Sequence, residues 1–144
     1  MIESDTIKLL RECDAGIKMG MTSIDEVLPY VGAQSLKRAL LSSRKHHEQL
    51  KSKIETMLKD YHDEGKDPNP IVSAMSWLKT NMKLRLNESD ETISSLMVQG
   101  CDMGVQSLSR YLNQYKAAEE KAKDITKELI RIEEQLSKDM RQYL

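Results

Sequence analysis

Cys13-Asp14-Ala15-Gly16-Ile17 returns later in the chain as Cys101-Asp102-Met103-Gly104-Val105. These segments hold the only two cysteines of the protein. Each reads Cys-Asp-x-Gly followed by a β-branched aliphatic. A second pair keeps the same order at nearly the same offset: Glu48-Gln49-Leu50 and Glu134-Gln135-Leu136. The tripeptide alone is common in helices, but the shared order of both motifs points to two related halves.

Hydrophobic periodicity makes each half a helical hairpin. The first helix is expected from about Asp5 to Val31, with Ser4 as its N-cap. Its stripe is Ile7, Leu10, Asp14, Ile17, Met21, Ile24, Leu28 and Val31, in alternating steps of three and four that suit a bundle seam. Pro29 and Gly32 end it. The second helix is expected from about Ser35 to Asp63, on Leu36, Leu40, Ser43, His47, Leu50, Ile54, Met57 and Tyr61. Its stripe carries a polar pair, Ser43 and His47, at mid-length. Its Lys and Arg residues are interleaved with Glu48, Glu55 and Asp60, the pattern of a solvated face.

Asp63-Glu64-Gly65-Lys66-Asp67-Pro68-Asn69-Pro70 is the clearest loop. Asn69 before Pro70 starts a short helix, expected over about 70–86, with Trp77 as a core anchor. A third long helix is expected from Ser89 to Asn113 on Ile93, Met97, Cys101, Val105, Leu108 and Leu112. After a turn near Asn113 to Ala117, the last helix carries Ala118, Ala122, Ile125, Leu129, Ile132, Leu136, Met140 and Tyr143. Gly16 and Gly20, like Gly100 and Gly104, lie one turn apart and mark surfaces where helices approach closely, each at about 1 kcal/mol of helix propensity. The expectation is all-α: one domain over 1–144, an antiparallel four-helix bundle of hairpins 5–63 and 89–144, joined by a crossover over 64–88. That is the layout of ferritin-like bundles.

Composition narrows the function classes. With 144 residues the chain is long enough for one full core. A formal net charge of −1 supplies no basic field for nucleic acid or anionic membrane. No apolar run approaches the roughly 20 residues that span a bilayer. The N-terminus lacks the basic and apolar regions of a signal peptide, so a cytoplasmic location is expected. Nine Met and no Phe imply a core of Leu, Ile and Met. Both cysteines fall among apolar neighbours and read as buried free thiols. No nucleophile–base pair, phosphate-binding glycine loop or zinc-spaced cysteine cluster occurs.

Asp14-Ala15-Gly16, Met75-Ser76-Trp77 and the segment from Gly100 to Tyr111 carry a resemblance. The chain is similar to small bacterial ferritin-like proteins, in particular an uncharacterised family with an Asp-x-Gly pattern in its first helix and a Trp-bearing crossover helix. The resemblance implies the fold. It also implies a site at which ferritin-like proteins hold two metal ions, with a Glu from the first helix and a Glu-x-x-His from the second helix of each hairpin. Here Asp14 and Asp102 stand for the first-helix carboxylates, and His47 stands for the histidine. Arg44 occupies the place of the glutamate before it. The Glu-Gln-Leu register puts Glu133 opposite His47 and Ile130 opposite Arg44. No Glu-x-x-His occurs anywhere in the chain.

The expectation is therefore no metal cofactor. Asp14, Arg44, His47 and Asp102 should instead form a buried polar layer, with Asp14 and Asp102 facing one another across the pseudo-twofold centre. The runner-up is an iron or manganese site on Asp14, His47, Asp102 and Glu133. Glu12, His46 and His62 are expected at the surface. The leading functional expectation is a non-catalytic bundle that binds a protein partner or a second copy of itself. The alternatives are a metal-binding redox or storage protein, and a binder of small ligands in the bundle interior. A cavity beside Gly16, Gly20, Gly100 and Gly104 would favour the last; tight helix contact there would not.

Overall fold

The computed structural model describes residues 2–66 and 89–144. The expected short helix over 70–86, with Trp77, lies outside the described residues. The described part is entirely helical: α1 (Ile2–Val27), α2 (Gln34–Asp60), α3 (Asp90–Gln114) and α4 (Glu120–Met140), with single 3-10 turns at Leu28–Tyr30 and Arg141–Tyr143.

The ends of the helices follow local chemistry, with one departure. α1 starts ahead of Ser4, so Ser4 does not cap it; Glu3 and Asp5 put negative charge on its first turn, where the helix dipole favours it. Pro29 has no N–H to continue the ladder, and the chain passes through the 3-10 turn into α2. Ser89 caps α3, its hydroxyl accepting from the Thr92 N–H at 3.2 Å. The turn between α3 and α4 falls slightly later than expected, because side chains of α1 hold it. Asp5 Oδ2 accepts from Ala117 N at 3.0 Å, and Thr6 Oγ1 accepts from Glu119 N at 2.8 Å.

These contacts set the topology. The α3–α4 turn rests on the start of α1. The α1–α2 turn rests on the start of α3, where the Asp90 carboxylate accepts from Gly32 N at 2.7 Å and Ala33 N at 2.9 Å. So α1 runs antiparallel to α2 and α3 and parallel to α4, and α2 and α3 run in the same direction. α1 packs on α2 and α3 packs on α4; α2 also packs on α4, while α1 reaches both α3 and α4. Among the described residues no helix is long and apolar enough to cross a membrane.

The core has two parts. One includes Leu9, Leu10, Ile17, Leu50, Ile54 and Leu129. The other includes Ile24, Leu36, Leu40, Leu96, Cys101 and Leu136. Along the helices, Gly20, His47 and Glu133 each fall between members of the first and members of the second. The core is thus interrupted at one level, and that level holds the polar chemistry.

Candidate functional site

His47 occupies a stripe position of α2 and is fully buried. Its Nδ1 lies 2.7 Å from the carbonyl oxygen of Ser43, one turn earlier. Its Nε2 lies 2.7 Å from Glu133 Oε1 on α4. The Nδ1–H therefore donates to the carbonyl, and a single proton bridges Nε2 and the Glu133 carboxylate. Burial opposes charge on the ring. The hydrogen bond to Glu133, the charge of Glu133 and the Ser43 carbonyl together outweigh it, and His47 is held above the ordinary histidine value. The register of the two Glu-Gln-Leu motifs had set Glu133 opposite His47, and the structure brings these two equivalent positions into contact.

Gly20 on α1 makes room for this pair. A Cβ there would lie 2.8 Å from His47 Nε2, inside any real contact distance. Cys101 on α3 adds a thiol beside Glu133. Burial, then the charge and hydrogen bond of Glu133, push that thiol far up, so it stays protonated and is no nucleophile. Cys13 is likewise pushed up to about 12, chiefly by burial. Its sulfur lies 3.2 Å from Thr126 Oγ1, whose own hydroxyl donates to Ala122 O at 2.8 Å. Both cysteines are free and buried.

Next to the pair is a cavity of about 80 Å³, lined by residues of all four long helices. Met19, Ile24, Leu96, Met97 and Leu136 form its apolar wall, and His47, Glu133, Cys101 and Ser23 form its polar end. Gly16 and Gly100 line it as well, and a Cβ at either would meet nothing within 4 Å. That corrects the expectation of close helix packing at both glycine pairs. Gly20 alone marks a forced close approach. Gly16 and Gly100 leave space open, and a Cβ on Gly104 would stand in ordinary contact, 3.6 Å from Glu133 Oε2.

The expected four-member polar layer does not assemble. Asp14 is buried, but Asp102 is exposed, so the two do not face each other at a shared centre. Asp14 Oδ2 accepts from Lys66 N at 3.0 Å and pairs with Lys18 Nζ at 2.8 Å, one turn along α1. The loop after α2 closes over it: Gly65 has φ +89, and a Cβ there would lie 2.4 Å from Asp14 Oδ2. Asp63 steadies this loop, accepting from Gly65 N at 2.9 Å and from Arg11 Nε at 2.9 Å. Asp102 accepts a bond from Ser137 Oγ at 3.3 Å and otherwise meets its charge in solvent. Arg44 turns outward onto Asp25, with Nε 2.6 Å from Oδ1 and Nη2 3.1 Å from Oδ2. A bidentate partner at the surface avoids the desolvation that a central Arg44 would suffer.

The same geometry tests the metal candidates Asp14, His47, Asp102 and Glu133. Only His47 and Glu133 meet, and the ring nitrogen a metal would take is hydrogen-bonded to the carboxylate. Asp14 is closed by Lys18 and the Lys66 backbone. Among the described residues no group of three or more His, Cys, Asp or Glu side chains is placed to hold a metal ion. Among the described residues, Asp14, His47, Asp102 and Glu133 do not come together as a di-iron donor set.

Compared with family models, curated proteins and solved structures, the chain matches none of them.

Proposed function

We propose that this protein is a ferritin-like helical bundle that binds a small molecule in its interior and acts by binding, not catalysis. The cavity beside the His47–Glu133 pair carries this reading, since it joins an apolar wall to a charged end in the middle of the bundle. The shared direction of α2 and α3 supports the ferritin-like layout, in which a long crossover returns the chain to the end where the first hairpin turns. The chemistry of the lining supports binding. Both ring nitrogens of His47 are occupied, by the Ser43 carbonyl and by Glu133, and burial holds the Cys101 thiol protonated, so neither is open as base or nucleophile. A protein partner or a second copy has weaker support: Ile2, Tyr30, Leu41, Met103 and Leu144 are exposed, but on different helices and turns.

The test uses methionine-methyl NMR with cyclopropane as an apolar probe. Saturable shifts of the Met19 and Met97 methyls are expected, and they should vanish in Gly16→Leu, which puts a large side chain at a residue lining the cavity. Unperturbed methyls in the parent protein would overturn the reading.

A further inference from the structure

We infer that the cavity selects a small neutral molecule that donates a hydrogen bond, a short-chain alcohol, over an acid or an amine of the same size; this rests on the interior-binding reading. The selection follows from which polar groups at the cavity end are already engaged. His47 gives its Nδ1 proton to Ser43 O at 2.7 Å, and the proton between Nε2 and Glu133 Oε1, 2.7 Å apart, is held within that pair. Ser23 gives its hydroxyl proton to Met19 O at 2.8 Å. Cys101 is a buried thiol, only a weak donor. Every strong donor at the polar end is committed. Acceptor capacity is left over, because a carboxylate offers about four lone-pair directions and a hydroxyl oxygen about two.

Three ligand classes then separate. A carboxylate would stand beside Glu133 with no donor to receive it. An ammonium would find the Glu133 carboxylate already bonded to the His47 ring and would bring its own charge into a buried site. A hydroxyl donates to Glu133 or Ser23 and brings no charge into a buried site. The rest of such a molecule lies against Met19, Leu96, Met97 and Leu136. The cavity volume of about 80 Å³ is roughly half that of an apolar protein cavity that takes benzene, so about three or four heavy atoms fit. Each methylene added within that limit should tighten binding about fourfold.

The experiment titrates the full chain with 1-propanol, acetate and propylammonium, each of four heavy atoms, with cyclopropane as the apolar reference. It follows the His47 ring signals and the Met97 methyl by NMR. Saturable binding of 1-propanol is expected, at least about tenfold tighter than either charged probe, and absent in Gly16→Leu. Acetate or propylammonium binding as tightly as propanol, while cyclopropane still binds, would overturn the ligand class and leave the cavity reading standing. Failure of propanol and cyclopropane alike would overturn both. A propanol shift that never saturates, or that persists in Gly16→Leu, would show a surface effect and overturn the proposal.

Discussion

Gly16, Gly20 and Gly65 have three different reasons to be glycine, and substitution separates them. At Gly20 an added methyl would press on the buried His47 ring at 2.8 Å. Gly20→Ala should lower stability by about 1–3 kcal/mol despite the better helix propensity of alanine. At Gly16 a Cβ meets open space, so Gly16→Ala should raise stability by about 0.5–1 kcal/mol. Gly65 has a positive φ and lies against Asp14, so Gly65→Ala should be the worst of the three, by at least about 2 kcal/mol. Urea unfolding of the set checks the order. His47 adds a pH signature. Its folded value is raised above the unfolded value of about 6.5. The native state therefore binds more protons than the unfolded chain between those two values, and stability falls as pH rises through that window. The contribution is complete below about pH 6.5 and lost above the raised value. Melting temperature followed across neutral pH should show this decline in the parent and not in His47→Gln.

At the scale of elements, all four long helices were legible, since a three/four apolar stripe over many turns has few other readings. What holds the helices end to end was not. The α3–α4 turn contains neither Gly nor Pro and is fastened by Asp5 and Thr6, from the far end of the chain. No local signal announces such a contact. Asp90 works the same way at the other end of the bundle. Asp90→Ala removes the acceptor of two backbone N–H groups in the α1–α2 turn, as well as a favourable charge on the first turn of α3. A loss of about 1–2 kcal/mol is expected, measured by urea unfolding. The repeat also misled at this scale. Asp14 and Asp102 match in sequence, but Lys18 follows Asp14 by one turn where Gln106 follows Asp102. One aspartate carries its counter-ion on its own helix and is buried; the other has none there and stays in solvent. That difference was present in the sequence and outweighs the shared motif.

Across the whole molecule, two apolar core regions meet at a level where His47, Glu133 and Gly20 replace large side chains. The register of the repeated Glu-Gln-Leu marked His47 and Glu133 as equivalent positions, but not that they bond to each other, since the expected partners of His47 were Asp14 and Asp102. The cavity was not readable either, because a glycine that admits a neighbouring helix and a glycine that leaves space look alike in sequence. Only the packing of α1 against His47 of α2 and Glu133 of α4 separates Gly20 from Gly16 and Gly100. The central claim is that this interrupted level holds an accessible binding cavity. Diffraction from crystals of the protein pressurised with xenon tests it most directly, because the atom is apolar, small and visible by its anomalous signal. The account predicts one dominant xenon position, enclosed by Gly16, Met97, Gly100 and Leu136 beside the His47 ring. Xenon absent from this position, or found only elsewhere in the bundle, would contradict it.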